Sequence, residues 1–353
     1  MDLLIKNVTW LDASQNPVNG DVRISGDTIA ETGQDLSSKK KEQVFDFSGH
    51  YLYAGLINAH DHLEMNLYPR LGTPPYNNYT EWSKDIYKPK ETPLKEIEKT
   101  DIEYRLLWGG LKNLVSGVTT VVHHNPWKNI LGKSSFPVVV PRVDWAHSLA
   151  FEKTMPSIGS KPFVIHAAEG VDEFARNETQ TLDKLGLLKK NTVIVHGLSA
   201  DFDLISSRGA SLAWCPSSNL YMFNRTVDVS KLKGRVDVTL GTDSTLTGLP
   251  TLLDEMRVAV NTGYATREDL IRMTGVTAAK VFGLPEPLIK VGNKADLFIT
   301  PVCDLLKVYP KDIKMIVVRG EIKTPKTGKL RRYFEKKVGE KILEQNPLWA
   351  LLS

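Results

Sequence analysis

Cysteine is nearly missing from this chain. Only Cys215 and Cys303 occur, so the disulfide framework of a small secreted scaffold is excluded. Charge of either sign is in little excess. The net charge is +4 over 353 residues and no long basic block occurs, which argues against a nucleic-acid-binding surface. No apolar run approaches the roughly 18 residues needed to cross a membrane. The start, MDLLIKNVTWLDAS, has acidic residues at positions 2 and 12 and no long apolar core. It reads as neither a signal peptide nor an anchor. The expectation is a soluble, cytoplasmic protein. Several catalytic signatures are lacking as well: HExxH, G-x-S-x-G, and the phosphate-cradling G-x-x-x-x-G-K. The deaminase signature that joins H-x-E to P-C-x-x-C needs two clustered cysteines. The HLE at 62–64 is therefore not part of it.

What is present is an ordinary globular balance, 41% hydrophobic and 24% charged. The length suits one large α/β domain with an accessory layer. Residues 1–50 read as short strands, broken at PVNG and SGD. YAGLINAH at 53–60 is a buried-type strand. The Pro-, Asn- and Tyr-rich loop LGTPPYNNYTEWSKDIYKP follows. The pattern then predicts a helix over about 93–115, and a second buried strand in SGVTTVVHH. Beyond it, KPFVIHAAE, NTVIVHG, ASLAWCPSSN and DVTLGTDS each end an apolar strand in polar residues. Helical patterns alternate with them. That alternation implies parallel strands with helices outside, most economically a (β/α) barrel. Barrel active sites lie at the C-terminal strand ends. Residues 290–353 return to short strands and a basic, helix-like tail, and these strands could join those of the N-terminus in one small sheet.

The polar strand ends carry the chemistry. In INAHDHLEMN, extended backbone points His60 and His62 to one side. HAAE adds His166 and Glu169, VHG adds His196, and GTDS adds Asp243. Three histidines and an aspartate form a nitrogen and oxygen donor set suited to Zn²⁺ or Fe²⁺. Such an ion brings the pKa of its water towards about 7, giving hydroxide at neutral pH. A nearby carboxylate, Glu169, is placed to move protons. Taken singly, each has an ordinary alternative. His166 and His196 could be bonded core histidines, Asp243 a helix cap, and Glu169 a surface carboxylate.

Together AGLINAHDH, SGVTTVVHH, HAAE, VHG, WCPSSNL, GTDS and GNKADLFIT resemble the amidohydrolase superfamily. The likeness is to its cytosine deaminase-like, guanine deaminase-like and chlorohydrolase-like branch. The resemblance spans most of the chain and implies a TIM-like barrel over 53–288. It also implies a small β-sandwich from 1–52 and 289–353. It implies that His60, His62, His166 and Asp243 hold one divalent metal, zinc first and iron second. Catalytic roles would fall to Asp243, as acceptor of a proton from the water, to Glu169, as proton shuttle, and to His196 beside the metal. His123 and His124 would stand outside the metal's ligands. Cys215 reads as a small buried residue. Substrate contacts are expected from Tyr76, Trp82, Ser218 and Asn219, with Asn77 and Tyr79 in the same loop as the first two.

The interval from His124 to His166 is too short for two full βα units, since a βαβ crossover takes about 30 residues. Helices there should be truncated or missing, and the barrel irregular on that side. Lys153 and Lys161 raise the idea of a lysine-bridged metal pair, but the HAAE spacing resembles the single-metal branch. The expected reaction is hydrolysis of a carbon–nitrogen bond, other than a peptide bond, in a small cyclic substrate. Deamination of a nitrogen heterocycle by metal-bound hydroxide comes first. Hydrolysis of a cyclic amide, or removal of a ring halide, is the runner-up. A non-catalytic binding or scaffold role on the same fold is the alternative of another class. The expected partners are a small-molecule substrate and further copies of the chain, with no nucleic acid and no membrane.

Overall fold

The alternating pattern of the first fifty residues becomes four strands: β1 (Asp2–Leu11), β2 (Pro17–Ser25), β3 (Thr28–Gly33) and β4 (Gln43–Ala54). In this computed structural model, residues 2–12, 16–323, 327–346 and 348–349 are described. β1 lies between β2, antiparallel, and β4, parallel. The sheet continues from β4 into strands from the far end of the chain, described below.

At Gly55 the chain leaves this sheet. A side chain there would collide with Thr119, so only glycine lets the two layers pass this closely. The single strand expected over 53–60 is therefore split. Its second half is β5 (Leu56–Asp61), every residue of which is buried. Next come α1 (Tyr79–Ile86), α2 (Leu94–Ile97) and α3 (Ile102–Leu114). The one helix expected over 93–115 is thus two. Asp101 interrupts it by accepting a hydrogen bond from the Glu103 amide as an N-cap.

β6 (Val118–His123) pairs parallel with β5. A five-stranded parallel sheet follows, made of β7 (Asp144–Ser148), β8 (Phe163–Ala167), β9 (Thr192–His196), β10 (Ser211–Trp214) and β11 (Val238–Leu240). The helices α4 (Glu173–Lys184), α5 (Phe202–Arg208), α6 (Pro216–Phe223), α7 (Leu252–Asn261), α8 (Arg267–Met273) and α9 (Val276–Phe282) accompany its later strands. The ring closes between β11 and β5. The Asp243 amide donates to the His60 carbonyl at 3.1 Å. A Cβ on Gly241 would lie 2.7 Å from that of His60. The architecture is an α/β, TIM-like barrel.

The barrel is irregular on the side where the sequence is short. Residues 125–162 contain no α-helix, only a 3₁₀ turn at Asn129–Gly132 and β7. A single parallel bridge, Thr120 to Val139, links β6 to this stretch.

β12 (Leu297–Thr300), β13 (Met315–Val318) and β14 (Glu321–Ile322) return to the first sheet, and β12 pairs antiparallel with β4. The termini therefore share one seven-stranded sheet, β14-β13-β12-β4-β1-β2-β3. The basic tail forms α10 (Thr327–Val338) and α11 (Glu340–Leu343). Phe334 of α10 packs its ring 4.8 Å from that of buried Trp108 on α3. Among the described residues no helix is long and apolar enough to cross a membrane.

Candidate active site

Strand alternation does what the HDH segment suggested. His60 and His62 turn the same way at the end of β5 and are buried. His166, at the end of β8, meets both. Its Nε2 lies 3.3 Å from His60 Nε2 and 3.2 Å from His62 Nε2. The Nδ1–H of His166 donates to the His147 carbonyl at 2.7 Å. A carbonyl can only accept, so His166 Nε2 carries a bare lone pair. Asp243 Oδ1 stands 3.7 Å from Nε2 of both His60 and His62.

These separations fit a cation. Tetrahedral ligands about 2.0–2.1 Å from zinc are about 3.4 Å apart. Hydrogen bonds alone do not account for the cluster. Nδ1 of both His60 and His62 is buried and without a hydrogen-bond partner among the described residues. Burial pushes His60 down to about 4. It also holds His166 well below the usual imidazole range, aided by the neighbouring histidines. Neutral imidazoles are the metal-binding form.

His124, expected outside the ligands, lies beside the cluster. One of its ring nitrogens is within 4.8 Å of those of His60, His62 and His166. Its Nε2–H donates to the Ala146 carbonyl at 2.8 Å, and its Nδ1 is buried without a partner. Its ring stacks 4.3 Å from that of His166. His123 faces Glu64 instead, at 3.8 Å.

The proton-handling groups sit beside this cluster. Glu169 is buried, and its Oε1 is 3.5 Å from His196 Nε2. Burial, with Asp243 and Glu178 adding like charge, pushes the Glu169 carboxyl well above its usual range. Asp243 goes the other way. Burial opposes its charge, but His60, His196 and His62 outweigh it and hold the carboxyl well below its usual range. The two carboxyls are thus driven in opposite directions, Glu169 towards its protonated form and Asp243 towards its ionised form. His196 Nδ1–H donates to Asn219 Oδ1 at 3.0 Å, leaving its Nε2 towards Glu169.

The backbone is strained where these side chains leave their strands. Ala168, His196 and Asp243 have φ of 54°, 67° and 55°. Left-handed conformations of non-glycine residues cost of order 1 kcal/mol each and persist only when their surroundings hold them. The holding groups are visible. Glu178 of α4 accepts from the Ala168 amide at 2.7 Å and from the Tyr79 hydroxyl at 2.8 Å. Ser218 of α6 donates to Asp243 Oδ2 at 2.9 Å. Asp243 caps no helix, since Thr251 caps α7.

Of the residues expected to touch substrate, Ser218 and Asn219 are fully buried and bonded to Asp243 and His196. Tyr76 donates to Asp85, and Trp82 donates to the Leu71 carbonyl at 3.1 Å. Tyr76 lies in the loop before α1 and Trp82 within α1, and this segment reaches the Glu169 turn, where Tyr79 N donates to the Glu169 carbonyl at 3.1 Å. Gly170 admits this approach, because a Cβ there would lie 2.6 Å from the Asn77 carbonyl oxygen. Cys215 is buried, and burial pushes its thiol well above the usual range, an inert form. Lys153 and Lys161 are exposed.

Sequence reasoning missed the layer beneath the histidines. Lys112, Asp61, Asn58 and Asn113 are all buried there. Taking an ammonium out of water costs several kcal/mol, so a fully buried lysine needs a reason.

Comparisons with known proteins agree with this geometry. The profile of the amidohydrolase family matches residues 158–323. The 5-methylthioadenosine/S-adenosylhomocysteine deaminase of Pyrococcus furiosus is 26% identical, over 79% of this chain and 81% of its own. That of Thermococcus sibiricus is 24% identical over 90% and 89%. Among solved structures, a zinc-bound adenosine deaminase from Xanthomonas campestris has a TM-score of 0.75 at 16% identity, covering 97% of this chain and 98% of its own. The zinc complex of atrazine chlorohydrolase from Arthrobacter aurescens TC1 has a TM-score of 0.73 at 14% identity, covering 98% of this chain and 100% of its own. These two share the fold. The strand-end cluster, the family profile over 158–323 and the near-full-length relatives all make this chain similar to amidohydrolases.

Proposed function

We propose that this protein is a metal-dependent hydrolase that removes an amino group from a nitrogen heterocycle. The observation that carries the proposal is one cluster. Nε2 of His60, His62 and His166 and Oδ1 of Asp243 converge beside a buried Glu169 carboxyl. These four ligands would hold one divalent ion, zinc first and iron second. When bound, the ion supplies a nucleophilic water at neutral pH. Asp243 would accept a proton from the attacking water. Glu169, as the acid, would give its proton to a ring nitrogen of the substrate and recover one from the added hydroxyl as the carbonyl forms, while the proton held by Asp243 would leave with the ammonia. His196 orients the reacting groups through Nε2. Ser218 and Asn219 brace Asp243 and His196, while Tyr76 and Trp82 shape the loop over the pocket.

The names of the relatives make 6-aminopurine nucleosides the first substrates to test. We assign the chemistry to residues 53–288 and a small sandwich to 1–52 with 289–353. Its support is the shared core of Leu3, Ile5, Val22, Ile24, Leu297 and Val317. A cytoplasmic location belongs to the same reading.

The test is ammonia release by zinc-loaded protein from adenosine, 5-methylthioadenosine, guanine, cytosine, pterins and aminotriazines. Turnover of any of these supports deamination. Chloride release from a chlorotriazine with no ammonia from the panel would favour the runner-up chemistry. Neither product would favour a binding role.

A further inference from the structure

Asp61 stands between His60 and His62, so alternation points it away from them, beneath the cluster. It is fully buried. Its Oδ2 accepts from Lys112 Nζ at 2.9 Å, Asn113 Nδ2 at 2.7 Å and Asn58 Nδ2 at 3.3 Å. Its Oδ1 accepts from Asn66 Nδ2 at 2.7 Å. Lys112, also fully buried on α3, does more than offset this charge. Its ammonium donates to Thr242 Oγ1 at 2.8 Å and to the Asp243 carbonyl at 3.3 Å. An ammonium has three protons, and these contacts use all of them.

The lysine therefore joins the two halves of the ligand set. One half is the β5 end with His60 and His62. The other is the turn after β11, where Asp243 holds a φ of 55°. Neutralising Asp61 would require only the first bond. The bonds to Thr242 and to the Asp243 carbonyl reach the strained turn instead. We propose that Lys112 is a positioning residue that sets metal affinity by clamping the Asp243 turn to the HDH strand. This rests on the metal-centre reading above.

The test is the zinc dissociation constant of the full chain, by competition with a chromophoric chelator, alongside thermal unfolding of the apoprotein. Lys112→Met alone would leave Asp61 buried and unpaired, so the main variant is Asp61→Asn with Lys112→Met, which removes both charges. It should bind zinc roughly 10–100-fold more weakly, as expected when groups behind a ligand are lost. Thr242→Val, nearly isosteric, should lose a few-fold. A folded double variant with wild-type zinc affinity overturns the proposal, even if its apoprotein melts earlier, because that is the behaviour of a purely structural pair. If the double variant does not fold, Thr242→Val decides, and an unchanged constant overturns the proposal. A wild-type chain that binds no zinc overturns the metal-centre reading itself. A wild type that binds it, with variants that bind equally, overturns only the clamp.

Discussion

The two sides of the barrel differ in what stands behind their strands. β8, β9 and β11 bear His166, His196 and the Asp243 turn, and helices pack behind them. Three of these helices send polar side chains inward: Glu178 from α4, Ser218 and Asn219 from α6, and Glu255 from α7 to Ser217. On the other flank of β8, residues 125–162 have no α-helix, and β7 serves the cluster with backbone carbonyls, that of His147 to His166 and that of Ala146 to His124. The comparison suggests why the shortened side is tolerated. A strand whose end needs only a carbonyl needs no bracing layer, because the ladder already fixes the backbone. A strand that must hold a side chain at a strained turn needs a helix to brace it.

The largest effect should come from the proton-handling residue of the braced side. Glu169→Gln should keep the metal and lose turnover by about 10²-fold or more, measured by steady-state ammonia release with metal content as control. Near-normal turnover would remove the distinction between the two sides. Next comes Glu178, whose carboxyl burial pushes up from 4.5 to about 7. Between those values the folded chain keeps a proton that the unfolded chain has lost, so stability falls as pH rises through this window. The drop should approach about 3 kcal/mol. Chemical unfolding at several pH values should show this slope in the wild type and a flatter one in Glu178→Gln. A wild type with no such fall would contradict it. A smaller effect is expected from Ser218→Ala, which removes a hydrogen bond to Asp243 Oδ2. Metal affinity should weaken about 10-fold, at the low end for groups behind a ligand. The smallest effect belongs to the unbraced side. Lys153→Met and Lys161→Met should leave metal content unchanged, since both side chains are exposed. Loss of metal in either would revive a lysine-bridged pair.

Much of the site was legible because strand ends announce themselves. An apolar run stopping at His or Asp marks His60, His62, His166, His196 and Asp243 as residues of one barrel face from the sequence alone. The shortfall in length between His124 and His166 foretold the missing helices. The bracing layer was not legible. In LKNLV, Lys112 has the spacing of a solvent-facing helix residue, and only the tertiary fold shows it buried against Asp61. Asp61 itself offered a faint signal, since alternation requires the middle residue of HDH to face inward if its neighbours face the pocket. The break at Asp101 was hidden because a capping aspartate looks like any polar residue of an amphipathic helix. VVHH gives two adjacent histidines opposite faces and no way to choose which one lies beside the cluster, and in the structure it is His124.

The most direct measurement is metal content per chain, by elemental analysis of protein purified without chelators. One equivalent of zinc or iron per chain is the predicted result. None after reconstitution, or a stoichiometric two, would contradict a single ion held by His60, His62, His166 and Asp243.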